Sequence, residues 1–98
     1  LSENVPRMLP KHLSAEIDCN TWDLPPVFRW LKKSGNVSGV EMSRTFNTGI
    51  GMVGAVAAEK ADELVKELEA HGETVYVIGK LVERQEEWCV LKNIEAWN

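Results

Sequence analysis

Residues 58–79 carry the clearest structural signals of the chain and read A-E-K-A-D-E-L-V-K-E-L-E-A-H-G-E-T-V-Y-V-I-G. Four of its apolar positions recur three or four residues apart: Ala61, Leu64, Val65 and Leu68. Because this spacing places them on one side of a helix, residues 59–71 are predicted to form an amphipathic helix that ends at Gly72. The apolar, β-branched run 74–78 then predicts a buried strand. A helix followed at once by a strand indicates a domain that mixes both elements.

Further strands are predicted on both sides of this unit. Residues 50–57 are continuously small or β-branched, which is typical of a strand covered on both faces. Residues 15–19 alternate with period two, and residues 88–91 are a last strand after a charged hairpin tip at 83–87. The order of elements predicts an α+β fold, with a mixed β-sheet and helices packed on one or both of its faces.

Three helical segments are expected ahead of residue 45. Residues 2–9 are predicted to form a short helix or helical turn with Ser2 as its cap. A second helix follows residues 22–26, which are expected to supply an acidic cap and prolines at its entrance. Val27, Trp30 and Leu31 are expected on its inward face, with Phe28 beside them. The third helix is predicted over 38–44, capped by Ser38.

The charge balance restricts the possible partners. The 98 residues include 15 acidic and 11 basic side chains, which gives a formal net charge of −4. A negative protein repels a polyanion, so a nucleic-acid partner is not expected, although a local phosphate site is compatible with this charge. No window approaches the ~20 apolar residues that span a bilayer, and no signal-peptide pattern is present. We therefore expect one soluble domain with no membrane partner.

The cysteines and histidines form no metal-binding pattern. Cys19 and Cys89 lie far apart in the sequence, and His12 and His71 are not grouped with them. A structural zinc site needs about four closely spaced ligands, so no metal site is predicted. Each cysteine lies in an apolar run, which favours two buried thiols in a reducing compartment over a catalytic thiol.

Two short segments concentrate polar groups. Residues 3–7 bring a carboxylate, an amide and a guanidinium to the start of a helical turn. Residues 44–51 combine an arginine, hydroxyls and an amide with Gly49 and Gly51, where a ligand can approach exposed N–H groups. The second segment is compatible with a phosphate-lined pocket, and also with a tight turn that only begins a strand. The longer dinucleotide and P-loop fingerprints are absent.

These two segments belong to a series of short sequence motifs that resembles a known family, the phosphoribosylformylglycinamidine cyclo-ligases, also called AIR synthetases. The motifs occur in the family's order and spacing: Glu3–Pro10, Pro26–Leu31, Gly35–Val37, Glu41–Met42, Arg44–Val53, Gly72–Glu73 and Val77–Gly79. They cover residues 1 to about 80, and such a series is highly specific.

The resemblance implies an enzyme of purine biosynthesis that uses ATP to close formylglycinamidine ribonucleotide to aminoimidazole ribonucleotide. It implies that residues 1–98 are most of a C-terminal domain with the AIR synthetase fold, in part ferredoxin-like. The N-terminal domain of the family, which provides most of the contacts to ATP and Mg²⁺ and forms the homodimer, would lie outside these residues. A cytoplasmic, multifunctional parent in which the ligase follows a glycinamide ribonucleotide synthetase domain is a further implication.

The resemblance also suggests which residues contact the substrate. It places Asn47, Thr48 and Gly49 at the phosphate side of the ribonucleotide, with Asn4 and Arg7 as further contacts, and Gly51 joins them as the second glycine of the pair. No catalytic residue is assigned. Two alternatives stay open: a catalytically inactive structural or assembly module, and a sister enzyme of the same ATP-dependent superfamily.

Overall fold

A computed structural model describes all 98 residues. Its elements follow in this order: a 3-10 turn at Val5–Met8, β1 at Leu13–Asp18, α1 at Pro26–Ser34, α2 at Gly39–Thr45, a 3-10 turn at Ala58–Lys60, α3 at Ala61–Ala70, β2 at Gly79–Glu83, β3 at Cys89–Lys92 and a 3-10 turn at Ile94–Trp97. The mixture of helices with one small sheet confirms the α+β prediction.

The sheet has three strands in the order β2-β1-β3. Strand β1 lies in the centre, antiparallel to β2 with Ala15 opposite Leu81, and parallel to β3 with Ala15 opposite Cys89. The sheet is therefore mixed, as predicted. The hairpin predicted at 83–87 is wrong, because β2 and β3 pair with opposite edges of β1 and not with each other.

The central position of β1 explains its composition. Ser14, Ala15 and Ile17 are all buried. Small side chains in the centre let the neighbouring backbones come close, and Gly79 at the start of β2 faces β1 so closely that a Cβ there would overlap the carbonyl oxygen of Glu16. The close approach of the two backbones therefore requires glycine at position 79.

The hydrophobic core joins the sheet to the first half of the chain. Its nine buried apolar side chains are Leu1, Val5, Ala15, Ile17, Cys19, Trp22, Leu24, Met42 and Trp97. Trp22 and Trp97 meet edge to face with ring centroids 5.9 Å apart, a preferred geometry for aromatic pairs. The core therefore lies between β1, the segment that follows it, α2 and the C-terminal turn, and it leaves α3 at the periphery.

The inward face of helix α1 is confirmed at Leu31 but is wrong at Val27 and Trp30. Phe28 and Leu31 pack against the core, and the Phe28 ring lies 6.0 Å from that of Phe46, whereas Val27 and Trp30 are 57% and 65% exposed. The predicted acidic cap is also wrong, because Pro25 occupies the cap position and no side chain bonds the first turn. Proline at the entrance presets the helical φ angle, so this helix begins without an acidic cap.

The other two early segments follow the prediction more closely. Ser38 caps α2 as expected, since its hydroxyl accepts a hydrogen bond of 3.2 Å from the Glu41 amide. The predicted helical turn within 2–9 is confirmed as the 3-10 turn, but Asn4 rather than Ser2 occupies its cap position, and no side chain bonds there.

Two predicted strands are absent. Residues 50–57 and 74–78 contain no regular structure, although β2 begins directly after the second segment. A strand requires a neighbour to accept and donate its ladder hydrogen bonds. The only backbone hydrogen bond between either segment and a strand runs from the Asp18 amide to the Ile78 carbonyl at 2.8 Å, so neither segment forms a ladder. Helix α3 between them is confirmed, but Leu64 and Leu68 on its apolar face remain 38% and 37% exposed because no layer covers that face.

None of the helices combines the length and the apolar character that crossing a bilayer would require.

Candidate functional site

A cavity of about 600 Å³ lies where the N-terminal turn meets the loop after α2. Its lining consists of Leu1, Asn4, Val5, Arg7, Met8, Thr45, Phe46, Asn47, Ile50, Gly51, Met52 and Val53. The two polar segments of the sequence are thus brought together on opposite walls. Four of the six predicted contacts line the cavity, namely Asn4, Arg7, Asn47 and Gly51, whereas Thr48 and Gly49 do not.

Backbone hydrogen bonds fix the two walls against each other. The Leu1 nitrogen donates to the carbonyl oxygens of Ser43 at 2.8 Å and Phe46 at 3.1 Å, and the Ser2 amide donates to Ser43 at 3.0 Å. Leu1 and Ser43 are buried, so these bonds are shielded from water. These bonds attach the N-terminal turn to the end of α2, and they hold the two walls of the cavity in place relative to each other.

The charge of the cavity is positive although that of the chain is negative. Arg7 is the only charged side chain in the lining, and no carboxylate lies within 4.0 Å of its guanidinium. Asn4, Thr45 and Asn47 add neutral hydrogen-bonding groups. An unpaired guanidinium beside amides and a hydroxyl suits a phosphate or carboxylate, since arginine binds both through two parallel hydrogen bonds.

Residues 47–50 form a tight turn on the second wall. The Ile50 amide donates to the Asn47 carbonyl at 3.0 Å, and both central residues have positive φ, 54° at Thr48 and 99° at Gly49. This pattern is that of a type I′ turn. A β-branched residue in the left-handed region costs about 1–2 kcal/mol, so surrounding contacts must hold Thr48 in place.

Trp22 supplies the main one of those contacts. Its indole Nε1 donates a buried hydrogen bond of 2.9 Å to the carbonyl oxygen of Thr48. The Thr48 hydroxyl donates to the Asn47 carbonyl at 2.7 Å, and the whole residue is buried. Sequence reasoning missed Trp22 as a supporting residue, because its partner lies 26 positions away and an indole after a strand carries no signal of that distance.

Gly49 is needed for packing as well as for its backbone angle. A Cβ on Gly49 would lie 2.7 Å from Cγ of Pro25, and the Gly49 amide already donates to Oδ1 of Asn47 at 3.0 Å. A Cβ on Gly51 would meet no atom within 4 Å, so this glycine borders open space in the cavity. Substrate contact by Thr48 and Gly49 remains a prediction, as it does for the four residues that line the cavity.

The side chains that could hold the Mg²⁺ of a metal–ATP complex are not clustered in this chain. No group of three or more His, Cys, Asp or Glu side chains is placed to share a metal ion. The cavity contains no carboxylate that could hold the metal beside a triphosphate.

The two cysteines are free thiols in the interior. Cys19 is fully buried and Cys89 half-buried. Loss of hydration on burial, with the carboxylate of Asp18 nearby, raises the pKa of Cys19 to about 11, and burial also raises the pKa of Cys89. Because both thiols stay protonated at neutral pH, they lack the thiolate that nucleophilic catalysis requires.

The fold and the site together define an α+β domain with a cavity beside its core, in which Arg7 is the only charged lining side chain. Residues 1–92 match the family model described as AIR synthase related protein, C-terminal domain. The match extends over nearly all of the chain, and the chain therefore belongs to this family.

Curated relatives agree with the family. The chain is 59% identical to the bifunctional purine biosynthetic protein ADE1 of Schizosaccharomyces pombe, over 99% of this chain and 13% of that protein. It is 50% identical to the bifunctional purine biosynthetic protein PUR2,5 of Pichia angusta, over 97% of this chain and 12% of that protein. It is 56% identical to the phosphoribosylformylglycinamidine cyclo-ligase of Neisseria gonorrhoeae, over 87% of this chain and 25% of that protein. The chain thus spans about an eighth to a quarter of the length of these relatives.

Proposed function

We propose that the chain is part of an ATP-dependent cyclo-ligase that closes formylglycinamidine ribonucleotide to aminoimidazole ribonucleotide in purine biosynthesis. The names of the relatives support this proposal, since one is a phosphoribosylformylglycinamidine cyclo-ligase and two are bifunctional purine biosynthetic proteins. In this proposal the parent protein is multifunctional, as the two fungal relatives are by name.

The cavity is proposed to take the phosphate-bearing end of the ribonucleotide. The observation that carries this step is the unpaired Arg7, the one charged side chain among the residues that line the cavity. Asn4 and Asn47 are placed to donate amide hydrogen bonds to the same anion. The apolar side chains Met8 and Met52 border the remaining volume and suit the less polar part of a nucleotide.

ATP and Mg²⁺ are proposed to bind mainly in another part of the parent protein, which corresponds to the N-terminal domain of the family. In this chain no three His, Cys, Asp or Glu side chains are grouped so that they could share a metal ion. Calorimetric titration of this chain with Mg²⁺ and ATP should accordingly give no micromolar binding. Such binding would contradict the proposed division between the two domains. A homodimeric assembly in the cytoplasm belongs to the same proposal.

The test replaces Arg7 by glutamine in the full-length protein. Loss of a charge-assisted hydrogen bond costs about 1.5–3 kcal/mol, so the KM for the ribonucleotide should rise about tenfold or more while the KM for ATP stays unchanged. Arg29→Gln is the matched control, because Arg29 lies on α1 and does not line the cavity. Equal ribonucleotide KM values in both variants would contradict a phosphate site at Arg7.

A non-catalytic assembly module is the second candidate function. It is favoured by the exposed apolar side chains on α3 and on the segments beside it: Met52, Val56, Leu64, Leu68, Tyr76 and Val77. A full-length protein that is folded but does not convert the ribonucleotide with ATP would support this candidate over the enzyme.

A further inference from the structure

The side chain of Arg44 connects the two walls of the cavity from the outside. Its Nε lies 3.3 Å from Oε1 of Glu3, in the segment that carries Asn4 and Arg7. Its Nη1 donates to Oε2 of Glu41, one turn back on α2, at 3.4 Å. One guanidinium thus bridges a carboxylate on each wall.

Glu41 links Arg44 to a residue that lines the cavity. Its second carboxylate oxygen, Oε1, accepts a hydrogen bond of 3.0 Å from the hydroxyl of Thr45, and Thr45 lines the cavity. The chain of contacts therefore runs from Glu3 through Arg44 and Glu41 to Thr45. It begins next to one predicted ligand contact, Asn4, and ends two residues before another, Asn47.

Arg44 does not reach the cavity directly. It lines a separate hollow of about 580 Å³ on the other side of the turn, together with Glu3, Glu86 and Glu87. The carboxylates of Glu3 and Glu41, which pair with Arg44, keep its guanidinium on that side by charge attraction. A bound anion in the cavity would consequently meet Arg7 and not Arg44.

We propose that Arg44 is a positioning residue, which holds the Glu3–Arg7 segment in register with α2 so that Asn4 and Arg7 face Asn47 across the cavity. This inference rests on the proposed function, because its effect is read through ribonucleotide binding. The hydrogen bond of 3.0 Å from the Ser2 amide to the Ser43 carbonyl holds the segment near its beginning. Arg44 adds the second attachment point that limits rotation about the first.

The expected effect is small and specific. The ion pairs are at least half exposed, and exposed pairs contribute little energy, so Arg44→Ala should raise the ribonucleotide KM about threefold. The KM for ATP and the midpoint of thermal unfolding should not change. Arg44→Lys should recover part of the loss, because an ammonium can approach one carboxylate but lacks the planar fork that bridges two. Added salt should reduce the difference in ribonucleotide KM between Arg44→Ala and wild type, because it screens exposed ion pairs.

A double-mutant cycle in the full-length protein distinguishes an effect of Arg44 through Glu3 from direct binding of the ligand by Arg44. If Arg44 acts through Glu3, then Glu3→Gln alone should raise the ribonucleotide KM, and the double variant should be no worse than Arg44→Ala. If Arg44 bound the ligand, Glu3→Gln would leave KM unchanged or lower it, and that result would overturn the inference.

The control variant is Lys80→Ala, which removes the exposed pair between Lys80 and Glu16 at 3.9 Å on the sheet, and it should leave both KM values unchanged. An unchanged ribonucleotide KM in Arg44→Ala, with a wild-type protein that turns over normally, overturns the positioning role alone. A wild-type protein that does not use the ribonucleotide overturns the proposed function and this inference with it.

Discussion

Gly49 and Gly51 provide a matched pair of substitutions that tests the description of the turn. The same change to alanine is made at two nearby positions, in surroundings that differ in two respects. Gly49 has a φ of 99°, and a methyl group added to it would lie 2.7 Å from Cγ of Pro25, whereas Gly51 has no positive φ and faces open space. The structure therefore predicts opposite results for two substitutions that are chemically identical.

The expected loss at Gly49 follows from two costs. A side chain in the left-handed region costs about 1–2 kcal/mol, and forcing a methyl group against the Pro25 ring costs a further ~1–3 kcal/mol by overpacking. Gly49→Ala should therefore lower the free energy of unfolding by about 2–5 kcal/mol. For a domain of this size, the lower bound corresponds to a fall of about 8 °C in the midpoint of thermal unfolding.

The control substitution, Gly51→Ala, should not destabilise the protein in either measurement. Gly51→Ala should leave stability unchanged or raise it by about 0.4–1 kcal/mol, because alanine restricts the unfolded chain. Both variants are compared by urea and thermal unfolding followed by circular dichroism. A Gly49→Ala variant within about 0.5 kcal/mol of wild type, or an equal loss in Gly51→Ala, would refute the account of the turn.

Three further predictions concern the core, its thiol and the surface. Trp22→Phe keeps the aromatic packing but removes the donor to the Thr48 carbonyl, and should lower the free energy of unfolding in urea by about 1–3 kcal/mol, while Trp30→Phe on the exposed face of α1 should change it little. Burial in the folded state raises the pKa of Cys19 to about 11 from its ordinary value of 9.0, so the contribution of the protonated thiol to stability is complete below pH 9. The free energy of unfolding should fall by roughly 1–3 kcal/mol as the pH rises from 9 to 11, and Cys19→Ala should reduce this pH dependence. Sedimentation should show self-association of the chain with rising concentration, because apolar side chains such as Met52, 93% exposed, lack a covering layer, and a strict monomer at high concentration would speak against it.

Local signals in the sequence predicted the elements that depend on near neighbours. Helix α3 follows from apolar spacing, and the start of α2 follows from the Ser38 hydroxyl and the amide three residues later. The strands predicted at 50–57 and 74–78 were wrong, because a strand depends on a partner whose presence is not encoded in the strand itself. The hairpin at 83–87 was wrong for a related reason, since β2 and β3 both take β1 as their neighbour.

The residues of the candidate site could be predicted from the sequence, but their arrangement in space could not. The polar groups in 3–7 and 44–51 identified both walls of the cavity, and the structure brings them together. The buried bond from Trp22 to Thr48 and the contact of Pro25 with the Gly49 position were not predictable, because each joins residues that are distant in the sequence. The inward face of α1 was only partly right, because its apolar residues form a broad stripe and only the side with Phe28 and Leu31 packs on the core.

The central strand of the sheet has a consequence for synthesis on the ribosome. Strand β1 ends at Asp18, but its partners are Gly79–Glu83 and Cys89–Lys92, near the other end of these residues. At about 5–20 residues per second, both edges of β1 stay unpaired for several seconds after the strand has been made, and the second edge closes only when Lys92 has emerged. The central strand is therefore made early, and during translation its edges are exposed to chaperones and to other nascent chains until the two neighbouring strands have been made.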